Sequence, residues 1–286
     1  MNYRLKKKLK RYASLAVLWL VVGIVVFPII YMVVLAGSYS NSIRTGTEFS
    51  TVSLSRYIKN FIDMQKNVDF MNYFKNSVIV ISSTTIISLV LSILSGYSLA
   101  RFKFPGSNGF GLTMLATQLI PPTLILIPMY LVFITIQRTF GVQVIDTYMG
   151  LIIPYVAIFT PMSIWVIRGF FANLPVELEE AARIDGCSRF QAFRLIMLPL
   201  AVPGIIATGI FIFLTAWDEL MLASILTTSP RVQTIPVGIR LFIGRIQNRF
   251  DLTMMAALVT TIPVAILFFA LQKYFVQGMT AGAVKG

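Results

Sequence analysis

LPVELEEAARIDGCSRFQAFRLIMLPL, Leu174–Leu200, gathers charge in a chain of 286 residues that is otherwise 57% hydrophobic and only 12% charged. Pro175 suits the first turn of a helix, and Glu177, Glu179 and Glu180 complement the positive end of its dipole. Gly186 stands where a helix closes in the left-handed conformation, so a first helix is expected from just after Pro175 to Asp185. Ser188 followed three residues later by Gln191 is a capping-box pattern. It opens a second helix that carries Phe190, Phe193 and Met197 toward one side, until Pro199 is expected to stop it. A helix, a turn and a helix of this kind, polar on one face and apolar on the other, is too short to cross a bilayer and is shaped to dock onto a partner.

Outward from this stretch, apolar runs of about 20 residues, the length that spans a bilayer, occur at 13–36, 76–100, 110–134, 148–168, 202–225 and 252–273. The expectation is an all-α integral membrane protein, residues 1–286 forming a single transmembrane domain of six helices. An even number of spans puts both termini on one side. Arg4, Lys6, Lys7, Lys8, Lys10 and Arg11 crowd into a tail at 1–12 and read as a cytoplasmic anchor under the positive-inside rule. That places the 174–200 loop in the cytoplasm and loops 37–75 and 226–251 outside. A basic tail can also bind nucleic acid, but this one runs straight into an apolar span, so no nucleic-acid partner is expected. The first apolar run, about 24 residues, exceeds the 7–15 of a cleavable signal core; cleavage near Ala36–Ser38 is the alternative.

The sequence contains no His and a single Cys, Cys187. His-based metal sites, His general bases and internal disulfides are therefore excluded. No Gly-x-x-x-x-Gly-Lys-Ser/Thr phosphate loop is present, so no ATP site, metal, cofactor or catalytic residue is expected on this chain, and an energy source must come from a partner. An ion-coupled secondary transporter is the alternative. It would bring inverted repeats and midplane carboxylates, and no clear repeat is visible. An intramembrane hydrolase would lack an acid–base partner for its nucleophile.

Pro28, Pro121, Pro122, Pro128, Pro154, Pro161 and Pro263 fall inside apolar runs. The Pro121–Pro122 pair predicts a bend in the third span, which suits a translocation pathway and plain packing equally. Ser88, Ser92 and Gly96 form a small-residue stripe that reads as a helix contact or a polar lining. Asp218 and Glu219 are expected about sixteen residues into the fifth helix, about 24 Å from its start. Carboxylates there must be paired or wet: they could bond substrate hydroxyls, pair with an arginine such as Arg231, or gate the outer mouth.

Glu180-Ala181-Ala182, then Gly186, then Ile196-Met197-Leu198-Pro199 resemble the EAA loop of bacterial ABC importer permeases. Further stretches extend the likeness over nearly the whole chain: YSLARFKFPG at 97–106, QLIPPTLILIPMY at 118–130, Trp217-Asp218-Glu219, TIPVGIR at 234–240, and Gly278–Gly286. They resemble the carbohydrate-uptake branch, in particular the shorter, second permease of maltose-type transporters. The resemblance implies a type I importer permease fold whose 174–200 loop is the coupling helix. Glu180, Ala181, Ala182, Gly186, Ile196, Leu198 and Pro199 would form the ATPase-coupling set, and Trp217, Asp218 and Glu219 would belong to a substrate path or gate. It also implies a homologous sister permease, two ATP-binding subunits carrying ATP and Mg, an extracytoplasmic solute-binding protein that the 226–251 loop would meet, a sugar substrate, and a bacterial or archaeal cytoplasmic membrane. Two positions depart from the family's usual residues: Asp218 stands where Asn is common, and Cys187 where Ala is usual.

Overall fold

The computed structural model describes residues 3–245 and 249–283, with side chains for 10–243 and 249–273. Every regular element among them is helical: α1 Tyr3–Ala36, α2 Ser40–Thr45, α3 Glu48–Thr51, α4 Leu54–Val68, α5 Phe70–Arg101, α6 Ser107–Thr117, α7 Pro122–Phe140, α8 Tyr148–Asn173, α9 Val176–Ile184, α10 Arg189–Ala192, α11 Leu198–Trp217, α12 Met221–Leu226, α13 Ile235–Arg245 and α14 Phe250–Ala283, with a π turn, Phe193–Met197, joining α10 to α11. Six stretches are long and apolar enough to cross a membrane: Lys10–Ala36, Phe70–Arg101, Pro122–Phe140, Tyr148–Asn173, Arg189–Trp217 and Phe250–Lys273. The chain divides into two compact units, Met1–Phe70 with Ile239–Ile262, and Met71–Gly238 with Pro263–Gly286. The Arg4–Lys8 side chains lie outside the described residues, as do the side chains of the Gly278–Gly286 tail.

In the first unit, α1 exposes apolar side chains all round, Trp19 at 71% and Ile24 at 66% among them. That surface is stable only against lipid or another apolar chain. The last carbonyls of a helix lack intrahelical donors, and α4 supplies them: Asn60 Nδ2 donates to Ala36 O at 2.9 Å and Ser38 O at 3.0 Å, and Tyr57 Oη to Val33 O at 2.7 Å. The segment expected as an outer loop at 37–75 is thus helical and tied to the end of the first span.

In the second unit, the small stripe of α5 packs on α8. Ser88 and Ser92 are fully buried, and a Cβ at Gly96 would lie 3.0 Å from both Arg168 N and Ile167 Cγ2. Three expectations from sequence are corrected here. The third span does not run over 110–134. It breaks after Thr117 and restarts at Pro122, because the residue before a proline is pushed out of the helical region, and Pro121 stands at φ −56°, ψ 130°. Pro199 does not stop the loop's second helix. The π turn shifts the hydrogen-bond register, with Leu198 N–H donating to Phe193 O; Pro199, which has no N–H to give, falls in the first turn of α11 where none is needed. The fifth span therefore begins before residue 202, and it ends at Trp217 rather than 225. Asp218 and Glu219 lie beyond the end of α11 rather than inside it.

Candidate functional site

The turn between α9 and α10 is built on Gly186, whose φ of +91° is left-handed. Gly186 N–H donates to Arg183 O at 3.2 Å and Cys187 N–H to Ala182 O at 3.0 Å, the paired bonds of a Schellman closure. A Cβ at Gly186 would meet nothing within 4 Å, so glycine is needed for its backbone and not for space. Both halves of the capping box form: Gln191 N–H donates to Ser188 Oγ at 3.2 Å and Ser188 N–H to Gln191 Oε1 at 2.7 Å. The chain thus turns once between α9 and α10 and then runs helically from Arg189 through the π turn into α11.

The inner face of this loop sits on an aromatic cluster. Tyr97, Ile167, Phe171, Phe193, Met197 and Ala201 are buried together, with Ile196 and Leu198 packed against them. The Tyr97 ring lies 4.6 Å from that of Phe193 and 5.4 Å from that of Phe171. Ala182 is 7% exposed, whereas Glu180, Ala181, Gly186 and Pro199 face outward. Glu180 makes no hydrogen bond or ion pair among the described residues. It borders a cleft of about 160 Å³ with Arg101, Phe102, Arg183 and Arg189. The outer face sets apolar side chains among exposed charges such as Glu180, Arg183 and Arg189: Ile184 is 86% exposed, Phe190 67% and Leu195 60%.

The residue that turns inward is Glu179. Its Oε1 accepts from Tyr97 Oη at 2.7 Å, and its Oε2 lies 3.5 Å from Arg101 Nε, while Arg101 Nη2 donates to Leu174 O at 2.9 Å. Three acids in four residues, Glu177–Glu180, give no sign of which one is inside. The helical phase does, because Glu179 is three residues before the buried Ala182 and so shares its face.

Around the other end of α11, Trp217 is buried at 3% exposure. It stacks on Phe213 at 5.3 Å and meets Phe74 edge-on at 6.2 Å, with no partner for its indole N–H among the described residues. Asp218 is exposed. Glu219 caps α12, its carboxylate accepting from Leu222 N–H at 2.9 Å, Ala223 N–H at 3.1 Å and Tyr155 Oη at 2.7 Å. Neither acid pairs with Arg231. Sequence reading missed Asp146, whose Oδ1 accepts from Thr228 N–H and Ser229 N–H, each at 2.9 Å. Burial alone would raise its pKa, but these hydrogen bonds outweigh burial and hold it below the ordinary carboxylate value. It also missed Asn76, which donates to Gln233 O at 2.9 Å and accepts from Tyr148 Oη at 2.7 Å.

Comparison with known proteins places this geometry in context. The trehalose/maltose transport system permease protein MalG of Thermococcus litoralis is 35% identical, over 92% of this chain and 92% of its own. A probable ABC transporter permease protein, YurM of Bacillus subtilis, is 34% identical over 92% of this chain and 84% of its own. The fold matches a chain in the crystal structure of a bacterial ABC transporter involved in the import of the acidic polysaccharide alginate. The TM-score there is 0.79 at 19% identity, covering 96% of this chain and 99% of that one. The profile of the binding-protein-dependent transport system inner membrane component matches residues 88–281, which decides against the ion-coupled alternative. The chain belongs to that family, the integral membrane permease subunits of ABC importers.

Proposed function

We propose that the chain is one of two homologous permeases of an importer for a sugar or oligosaccharide, driven by two ATP-binding subunits that carry ATP and Mg and fed by a solute-binding protein outside the cell. Its termini and the 174–200 loop face the cytoplasm of a bacterium or archaeon. The loop seats in a cleft of an ATP-binding subunit, so that closure of the ATPase pair is passed to α11 and the other spans. One observation carries this reading: the exposed apolar knobs Ile184 and Phe190 flank a glycine turn whose second helix leads through the π turn straight into a membrane-spanning helix. A free surface of that kind, fixed to a span, is suited to receive a push. In this reading Glu180 and the exposed Ala181 face the ATP-binding subunit, the buried Ala182 allows α9 to approach the chain's own core closely, and Gly186 sets the turn. The sugar assignment is supported by relatives whose names specify trehalose, maltose and maltodextrin. A permease of this fold has also been solved in complex with an alginate pentasaccharide-bound periplasmic protein.

At the far end, the exposed Asp218 is the group that meets the transported solute or gates its entry, while Trp217 and Glu219 hold the break behind it. The test is purification from native membranes in mild detergent, with mass spectrometry and an ATPase assay on the eluate. Recovery of a second permease and an ATPase whose activity rises with sugar-loaded binding protein is the expected result. A lone chain without ATPase in several detergents would overturn the reading.

A further inference from the structure

The Glu179 carboxylate is the acidic group of the 174–200 loop that bonds to α5. Its side chain is 13% exposed and that of Arg101 7%. Two neighbours on α5 hold it, the Tyr97 hydroxyl and the Arg101 guanidinium. Arg101 in turn grips the backbone at Leu174, where α8 hands over to the loop. The Tyr97 ring is clamped by Phe102, Phe171 and Phe193. Arg101 Nε and Glu179 Oε2 have no hydrogen-bond partner besides their mutual approach at 3.5 Å, so these two atoms lose their partner if α9 moves away from α5. A buried pair of this kind is a poor source of stability, since an apolar pair of similar volume commonly serves as well, whereas leaving either charge alone is strongly unfavourable. What it supplies is a fixed geometry that cannot slip without stranding a charge.

We propose that Glu179 is a positioning residue that locks α9 to α5 through Tyr97 and Arg101, so that a displacement of the loop is delivered to the second span as well as to α11. The continuity of α10, the π turn and α11 provides one route from the loop into the membrane; the Glu179 lock provides a second, independent of the backbone. The proposal rests on the reading of the loop as the element that docks on the ATP-binding subunit.

The test is a distance measured in the intact complex purified from native membranes. Nitroxide labels are placed at Leu178 on α9 and Leu94 on α5, both exposed, in a Cys187→Ser background. Pulsed electron spin resonance then reads their separation without nucleotide and after trapping with ATP and vanadate. With the lock intact, the separation is expected to hold between the two states. In Glu179→Met/Arg101→Met, which replaces the pair by apolar groups and preserves packing, it should change by about 1–2 Å, the scale of helix shifts at subunit interfaces. Tyr97→Phe keeps the ring packing while removing one of the two bonds, and should give a smaller change in the same direction. A lock that moves with the pair intact, or a separation that stays fixed in the double variant, overturns the proposal. A purified complex that contains no ATP-binding subunit overturns the underlying coupling reading instead, and does so before any distance is recorded.

Discussion

The two ends of α11 are built on opposite plans. Toward its start, the chain passes from α10 through the π turn into α11 without interruption, and the hydrogen-bond register absorbs Pro199. Beyond its last residue, Trp217, the helix stops, and the chain turns through Asp218 into the short α12, which Glu219 caps with a side chain. A continuous helical segment transmits displacement along its axis. The break after Trp217 is held instead by a side chain, the Glu219 carboxylate accepting from two backbone N–H groups and from Tyr155 Oη. In the proposed reading one end receives force and the other is the pivot that opens and closes.

The largest expected effect comes from disturbing the receiving end. Gly186→Pro demands a φ near −65° where the backbone stands at +91°, a conflict of about 3 kcal/mol or more. That is enough to deplete the correctly turned loop about 100-fold. Uptake in whole cells should fall accordingly while the protein remains in the membrane fraction; normal uptake would remove the basis for assigning coupling to this turn. At the other end, Glu219→Ala leaves the Leu222 and Ala223 N–H groups and the Tyr155 hydroxyl without their acceptor. Tyr155 is fully buried, so the loss should be about 2 kcal/mol, read as a lower melting temperature in detergent. An unchanged melting temperature would mean that α12 is held by something other than its cap.

Much of the receiving end was legible in sequence because its rules are local. Pro175, Gly186 and the Ser188–Gln191 pair act within a few residues of themselves, and the structure shows the cap and the left-handed turn where the residue types put them. The continuation past Pro199 was not legible, because a π turn has no residue signature and depends on Phe193 and Met197 packing against Tyr97 and Phe171. Nor was the end of the fifth span. An apolar run continues through Met221–Leu226, and hydropathy counts residues without seeing that Glu219 turns its carboxylate back onto the following N–H groups. Glu179 was hidden among neighbouring acids, since its phase with Ala182 marks it only once Ala182 is known to be buried, and its partner Tyr97 lies 82 residues away in sequence. The small stripe on α5 lies between these cases: its spacing implied a contact, and the partner, α8, could not be named from it.

That contact gives a prediction of intermediate size. Gly96→Ala would place a methyl group 3.0 Å from Arg168 N and Ile167 Cγ2 and 3.2 Å from Ile164 O, closer than ordinary van der Waals contact. Forcing α5 from α8 should cost about 1–2 kcal/mol, visible as a fall in melting temperature. A variant as stable as the parent would show that the two helices separate at this level without penalty.

The smallest effect is the most specific to the pivoting end. Asp146 joins the start of α8 to the segment after α12 by accepting from Thr228 and Ser229, and these bonds hold its pKa below the unfolded value. A depressed carboxylate pKa means that the unfolded chain takes up its proton first as the pH falls. The stabilisation is fully present above the unfolded value of about 3.9 and is lost as the pH drops through the lower folded value. Because the group is partly exposed, solvent screening limits the contribution to a few tenths of a kcal/mol. Asp146→Asn keeps an oxygen that can accept both N–H groups and tolerates the left-handed φ of +62°, so its stability at neutral pH should be nearly that of the parent. Melting temperatures measured from pH 3 to pH 6 should fall less steeply toward acid in the variant. Identical slopes would mean that the carboxylate charge plays no part in holding the pivot, and that the two N–H bonds act through geometry alone.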